Sequence, residues 1–168
     1  MRYELLLQTS QAGLPYEVAK VDAALAARGV TDRGDGFRVW KLKAGEVEVR
    51  AVVEGGTTVA TELRVPLSDK LDLIRELVQQ GAALAEEAGA RLYDPQLSRT
   101  LGAQDDGVVA NSFLATARYA GEMMGVPEAV FASFGPPETG LKPGTKVALG
   151  LIGLVAVVWF VVDALFSR

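Results

Sequence analysis

Sixteen consecutive residues near the C-terminus, Val147 to Val162, carry neither a charge nor a strongly polar side chain. With Asp163 and three further apolar positions the stretch runs over residues 147–166. As a helix at about 1.5 Å rise per residue it measures about 30 Å, the thickness of one hydrocarbon core. A soluble core helix this apolar would need protein on every side, and the remaining chain is too short to supply both that shell and a core of its own. The sequence therefore predicts a transmembrane helix over 147–166. A linker over 135–146, stiffened by Pro136, Pro137 and Pro143, precedes it.

The opening "MRYELLLQTSQ" has only three consecutive leucines and is flanked by Glu4 and Gln8, so it does not read as a secretory signal. The front of the chain is expected to stay cytoplasmic and the C-terminus to cross the membrane, as a single-pass tail anchor. Lys142 and Lys146 on the domain side agree with the positive-inside rule, although Arg168 opposes them. Asp163 falls near the far interface, where a charge costs much less than the roughly 2.5–3.5 kcal/mol of a mid-helix position. On a helical wheel Gly150, Gly153, Ala156 and Asp163 share one half. Small residues on one side let helices approach closely, so this half is a candidate helix–helix contact, with a homo-oligomer as one expected outcome.

The chain has 168 residues and contains neither cysteine nor histidine. Disulfides and thiolate chemistry are thereby excluded, and the commonest general base and metal ligand are missing. The expectation is of no enzyme, no cofactor and no metal. A formal net charge of −4 without a basic stripe argues against nucleic acid as a partner.

Residues 1–94 read as an α+β domain. "RYELLLQ" alternates as a half-buried strand. Leu14, Val18, Val21 and Leu25 form a helical stripe, with Pro15 in the first turn and Gly29 at the end. "GFRVWKLK", "EVEVRAVVE" and "TVATELRV" read as three strands of a meander. A two-residue first loop with Lys43 opposite Glu46 would pair Leu42 with Val47 and Trp40 with Val49. At the second turn, a three-residue loop from Gly55 to Thr57 with a glycine bulge would set Val53 against Val59 and Val49 against Leu63. A second helix follows, capped by Ser68, with Leu71, Ile74, Leu77, Val78, Leu84 and Ala88 on its buried face. "ARLYD" is a last strand stopped by Pro95.

The order β-α-β-β-β-α-β predicts a two-layer sandwich of mostly antiparallel sheet and helices. It resembles the ferredoxin-like plait with one strand added, a likeness of architecture that transfers no function. Over 95–134, "PQLSRTLGAQDDG" reads as loop. A further helix then packs on the domain through Val109, Phe113, Ala117, Ala120 and Met124, ending at Gly125.

Few residues carry a chemical signal. Glu86, Glu87, Asp94, Asp105 and Asp106 fit no metal-loop spacing and read as charges at helix ends. "EGGTT" joins two strands and lacks the helix and lysine that phosphate binding needs, and "RGDGF" is a turn before a strand. In "LYDPQLSR", Tyr93, Asp94, Gln96 and Arg99 are candidates to line a recognition site at a strand end, but an ordinary Asp-Pro turn with a strand tyrosine accounts for them and is the favoured reading. The strand bearing Trp40 and Leu42 on one side carries Phe37 and Val39 on the other. If helices cover one face, Phe37, Val39 and Val52 are left on the second, with Tyr93 at a strand end. Either residues 108–134 or a partner covers them. The expected function is that of a membrane-tethered cytoplasmic protein-binding domain, an accessory subunit or adaptor of a membrane complex. The alternative is a small oligomerising membrane effector or its inhibitor. The partners are thus the lipid bilayer and another protein.

Overall fold

The computed structural model describes residues 2–11, 13–34, 36–67 and 71–123. The predicted linker and transmembrane helix, with Gly150, Gly153, Ala156 and Asp163, lie outside the described residues. So do the proposed cap Ser68 and the helix end at Met124 and Gly125. The elements are β1 (Arg2–Thr9), α1 (Val18–Ala27), β2 (Thr31–Asp32), β3 (Arg38–Leu42), β4 (Gly45–Glu54) and β5 (Thr57–Pro66). There follow α2 (Leu71–Ala88), β6 (Ala90–Asp94), β7 (Arg99–Leu101), a short 3-10 turn (Ala103–Asp105) and α3 (Asp106–Met123). The fold is α+β: a seven-stranded sheet in the order β2-β3-β4-β5-β1-β6-β7 and three helices. Every neighbouring pair of strands is antiparallel. β1 is inserted between β5 and β6, so the β5–α2–β6 unit is split by the first strand.

The alternation in β1 puts Tyr3, Leu5 and Leu7 on one face, all fully buried. Register continues that face through Leu63 and Val65 of β5, Val47 and Val49 of β4, Trp40 of β3, and Leu92 and Leu101 of β6 and β7. These residues form one core with Val21 and Leu25 of α1, Ile74, Leu77, Val78 and Leu84 of α2, and Val109 and Phe113 of α3. All three helices therefore cover the same face of the sheet. Gly81 lets α2 sit close, since a Cβ there would lie 3.3 Å from a methyl of Leu92.

Helix ends follow local chemistry. α1 stops where Gly29 takes φ +73°, with its N–H on Ala26 O at 2.9 Å and the Val30 N–H on Leu25 O at 3.2 Å. This is a Schellman closure, and the left-handed residue favours glycine. At the other end the expected start is too early. α1 begins at Val18, and Leu14 is half exposed rather than part of the buried stripe. Tyr16 turns the chain there instead, donating its hydroxyl to Thr61 Oγ1 at 2.8 Å.

Both hairpins correct the expected registers. In the first, Leu42 faces Gly45 and Trp40 faces Val47, so the loop is Lys43-Ala44. The reason lies in α2: the Glu76 carboxylate accepts the Lys43 and Ala44 N–H groups, at 3.1 and 2.9 Å. In the second, Val49 does face Leu63, but Val53 faces Thr58 and Glu54 faces Thr57. Gly55 and Gly56 both have positive φ and close a two-residue turn whose twist suits a hairpin. The odd residue is taken up in the ladder between Thr58 and Ala60, at Val59 and not at a glycine.

The stretch after Asp94 is more ordered than a loop. β7 pairs with β6, and the Asp105 carboxylate binds Arg99 Nη2 at 2.6 Å and the Gly102 N–H at 2.7 Å. Gln79 of α2 donates to Asp106 at 2.9 Å, fixing the start of α3. Phe113 then meets Tyr3 edge-on, with ring centroids 5.6 Å apart. Because α3 joins the helix layer, residues 108–123 do not cover the opposite face. Among the described residues no helix is long and apolar enough to cross a membrane.

Candidate interaction surface

The sheet face opposite the helices is built from the other parity of each strand. Across it, Val39 stands opposite Glu48, Glu48 opposite Arg64, and Arg64 opposite Glu4. The next row runs Arg50, Glu62, Leu6, Tyr93 and Thr100. A third runs Val52, Ala60, Gln8 and Arg91. The predicted surface residues Val39, Val52 and Tyr93 thus share this face, and Phe37 joins it through Arg33, whose guanidinium lies 5.3 Å from the Phe37 ring centroid. Phe37, Val52 and Tyr93 are half-buried and Val39 is buried.

Opposite charges alternate between strands, which is what cross-strand neighbours require. Glu48 is shared by Arg2 at 3.2 Å and Arg33 at 3.1 Å. Glu62 is shared by Arg64 at 2.9 Å and Arg50 at 3.7 Å, and Arg64 also reaches Glu4 at 3.4 Å. The Arg64 Nε contact with Glu62 is close but not aligned as a hydrogen bond, so it acts through charge alone. Glu4 is held above the usual carboxylate range, first by desolvation and then by the Glu62 charge beside it. Towards β6, Gln8 accepts from Arg91 Nε and Nη2, both at 3.1 Å, when its amide oxygen faces the guanidinium. Arg91 in turn lies 5.8 Å from the Tyr93 ring centroid. Five arginines stand on this face among aromatic and aliphatic groups.

The other candidates have structural explanations. Asp94 is fully buried on the helix side. It accepts the Tyr3 hydroxyl at 2.7 Å and the Gln96 and Leu97 N–H groups at 2.8 and 3.1 Å. It therefore closes the β6–β7 turn and anchors Tyr3, whose hydroxyl is pushed well above its ordinary pKa, chiefly by burial. Tyr93 does not converge with it because it faces the charged side, and Arg99, although opposite Asp94 in register, binds Asp105 instead. Tyr16 is pushed up to about 12, again chiefly by burial. Among the described residues no three acidic side chains are grouped to hold a metal ion. A shallow groove of about 480 Å³ between α2 and β6–β7 is lined largely by alanines, Leu92 and Leu101.

Parity was enough to place Phe37, Val39 and Val52 on one face. The ion-pair ladder escaped sequence reasoning, although Glu48 and Arg50, Glu62 and Arg64, and Arg2 and Glu4 each occupy alternate positions of their strands. That spacing was the available signal, and it needed the strand order to become a ladder. No protein-family model matches the chain, and no curated protein matches it.

Proposed function

We propose that this chain is a non-catalytic binding module, held at a membrane by residues 147–166, that docks another protein through the charged face of its sheet. Its role is that of an accessory subunit or adaptor, with the N-terminal domain cytoplasmic and the C-terminus across the membrane. The reading rests on one observation: all three described helices lie on one side of the sheet, leaving Phe37, Val39, Val52 and Tyr93 among paired charges on the other. The apolar C-terminal run supports the tether, and tethering raises the effective concentration of a binding module near a membrane partner.

Because the chain lacks cysteine, one cysteine introduced at Val52 can carry a photo-crosslinker. In native membranes this label is expected to join the full chain to one protein in stoichiometric yield, while the same label at Ala83 of α2 does not. Recovery of the chain in the soluble fraction would refute the tether. Crosslinks to further copies alone would favour the oligomerising effector. In that case the Gly150, Gly153, Ala156 and Asp163 side carries the contact, and Gly153→Leu should disperse the oligomer.

A further inference from the structure

We infer that the protein docked on this face presents an acidic surface, a reading that rests on the docking surface proposed above and adds the chemistry of its partner. The observation is an asymmetry of charge between the two sides of the sheet. By strand parity the face carries six cations against five carboxylates, one of them Glu54 at the hairpin tip. The rest of the described residues carries seven cations against eleven. The acidic excess of the described residues thus lies off this face.

Exposure sharpens the point. The side chains of Glu48 and Glu62 are only 18% and 8% exposed, whereas Arg2, Arg33 and Arg50, which bind them, are 45%, 43% and 46% exposed. Each of these carboxylates is shared between two guanidiniums. Around Glu48 and Glu62 the acids sit low and Arg2, Arg33 and Arg50 stand outward, so an approaching surface meets positive charge first there. Elsewhere Arg64 is the low partner of Glu4, and Glu46 is balanced by a similarly exposed Lys41. Five of the six cations are arginine. A guanidinium offers a fixed planar fork that matches a carboxylate in two hydrogen bonds, and the Glu partners already hold several forks in place. A lipid headgroup layer is served as well by lysine, of which the face has only Lys41, so the composition favours a protein carboxylate.

The test uses the full chain in nanodiscs of uncharged phosphatidylcholine, with an environment-sensitive fluorophore on Val52→Cys. The probe is a Glu-rich peptide with interspersed Phe. The label is expected to respond to the peptide in a salt-sensitive manner. Arg50→Gln and Arg91→Gln should each weaken binding about tenfold, while Lys20→Gln on α1 leaves it unchanged. Arg91 takes no part in the Glu48 and Glu62 ion pairs, so its variant keeps the test open if Arg50→Gln disturbs the ladder. Equal loss with Lys20→Gln, or no loss with either arginine variant, overturns the proposal. So does a label response to phosphatidylserine in the nanodisc that depends on Arg50 and Arg91 and exceeds the response to peptide. If the Val52 crosslink still captures its protein when both arginines are glutamine, the docking surface stands and the acidic partner falls. If that crosslink captures none, the docking surface itself fails.

Discussion

Tyr3 and Asp94 are separated by 91 positions and meet at 2.7 Å inside the protein. Both are fully buried, and no cation binds the carboxylate among the described contacts. Its charge is stabilised by the Tyr3 hydroxyl, by the Gln96 and Leu97 N–H groups and, when the Gln96 amide nitrogen faces it, by that nitrogen at 2.8 Å. A hydrogen bond to a charged group contributes about 1.5–3 kcal/mol, so Tyr3→Phe should cost that much. Asp94→Ala removes all of these acceptor contacts. The Gln96 N–H lies on an exposed residue and can find water, but the Tyr3 hydroxyl is buried and keeps only Ser112 beside it. That hydroxyl, left without its carboxylate acceptor, adds its own desolvation cost, for a total of about 3–5 kcal/mol. Against a typical domain stability of about 5–15 kcal/mol this is a large fraction. The assay is urea unfolding in mild detergent in a Trp159→Phe background, where the buried Trp40 reports alone. A double-mutant cycle with Tyr3→Phe and Asp94→Asn should return a coupling of about 1.5–3 kcal/mol. A coupling below about 0.5 kcal/mol would refute the reasoning, because the pair would then be independent within the usual error of additivity.

Other outcomes follow from the same geometry. Phe113→Ala should cost about 3–5 kcal/mol by thermal or urea unfolding, since a fully buried ring against Tyr3 is removed. Glu76→Ala should cost about 1–2 kcal/mol and speed amide exchange at Lys43 and Ala44, because it leaves both turn N–H groups without their acceptor. Tyr16, ordinarily near 10 and raised to about 12 in the fold, contributes stability that is complete below pH 10 and is lost as pH rises towards 12. Tyr16→Phe should flatten the fall in stability across that window, as read by urea midpoints. Glu4 is also raised, chiefly by desolvation, so ionising it costs the folded state stability that is regained as pH falls. Glu4→Gln should leave the melting temperature at pH 7 unchanged or higher, with the difference vanishing in acid.

Much of the fold was legible because it is locally written. The alternation of Tyr3, Leu5 and Leu7, the glycine after Arg28 and the helical spacing of Val109, Phe113 and Ala117 each specify an element from neighbouring residues. The first hairpin was not, because its loop is set by Glu76, more than thirty positions away. β2 and β7, with two and three residues, are too short to show a period. The second hairpin does contain an extra residue, but it sits at Val59 in the ladder and not in the loop. Gly-Gly satisfied the loop, leaving the extra residue to the ladder. For the candidate surface, parity placed the apolar residues, but the charges became a network only through a strand order that separates consecutive strands.

That strand order also sets a schedule for folding. β1 comprises residues 2–9, yet its two sheet neighbours are residues 57–66 and 90–94. The meander of β3, β4 and β5 can close from contacts near in sequence, but the strand in the middle of the finished sheet must wait for both flanks. Contacts of such high sequence separation carry a loop-closure cost before they return any stability, and they slow folding. The chain's first strand is thus among the last to find its place. Until it does, β5 and β6 each present an open edge, so substitutions that loosen β1 should reveal themselves first as slow folding and aggregation.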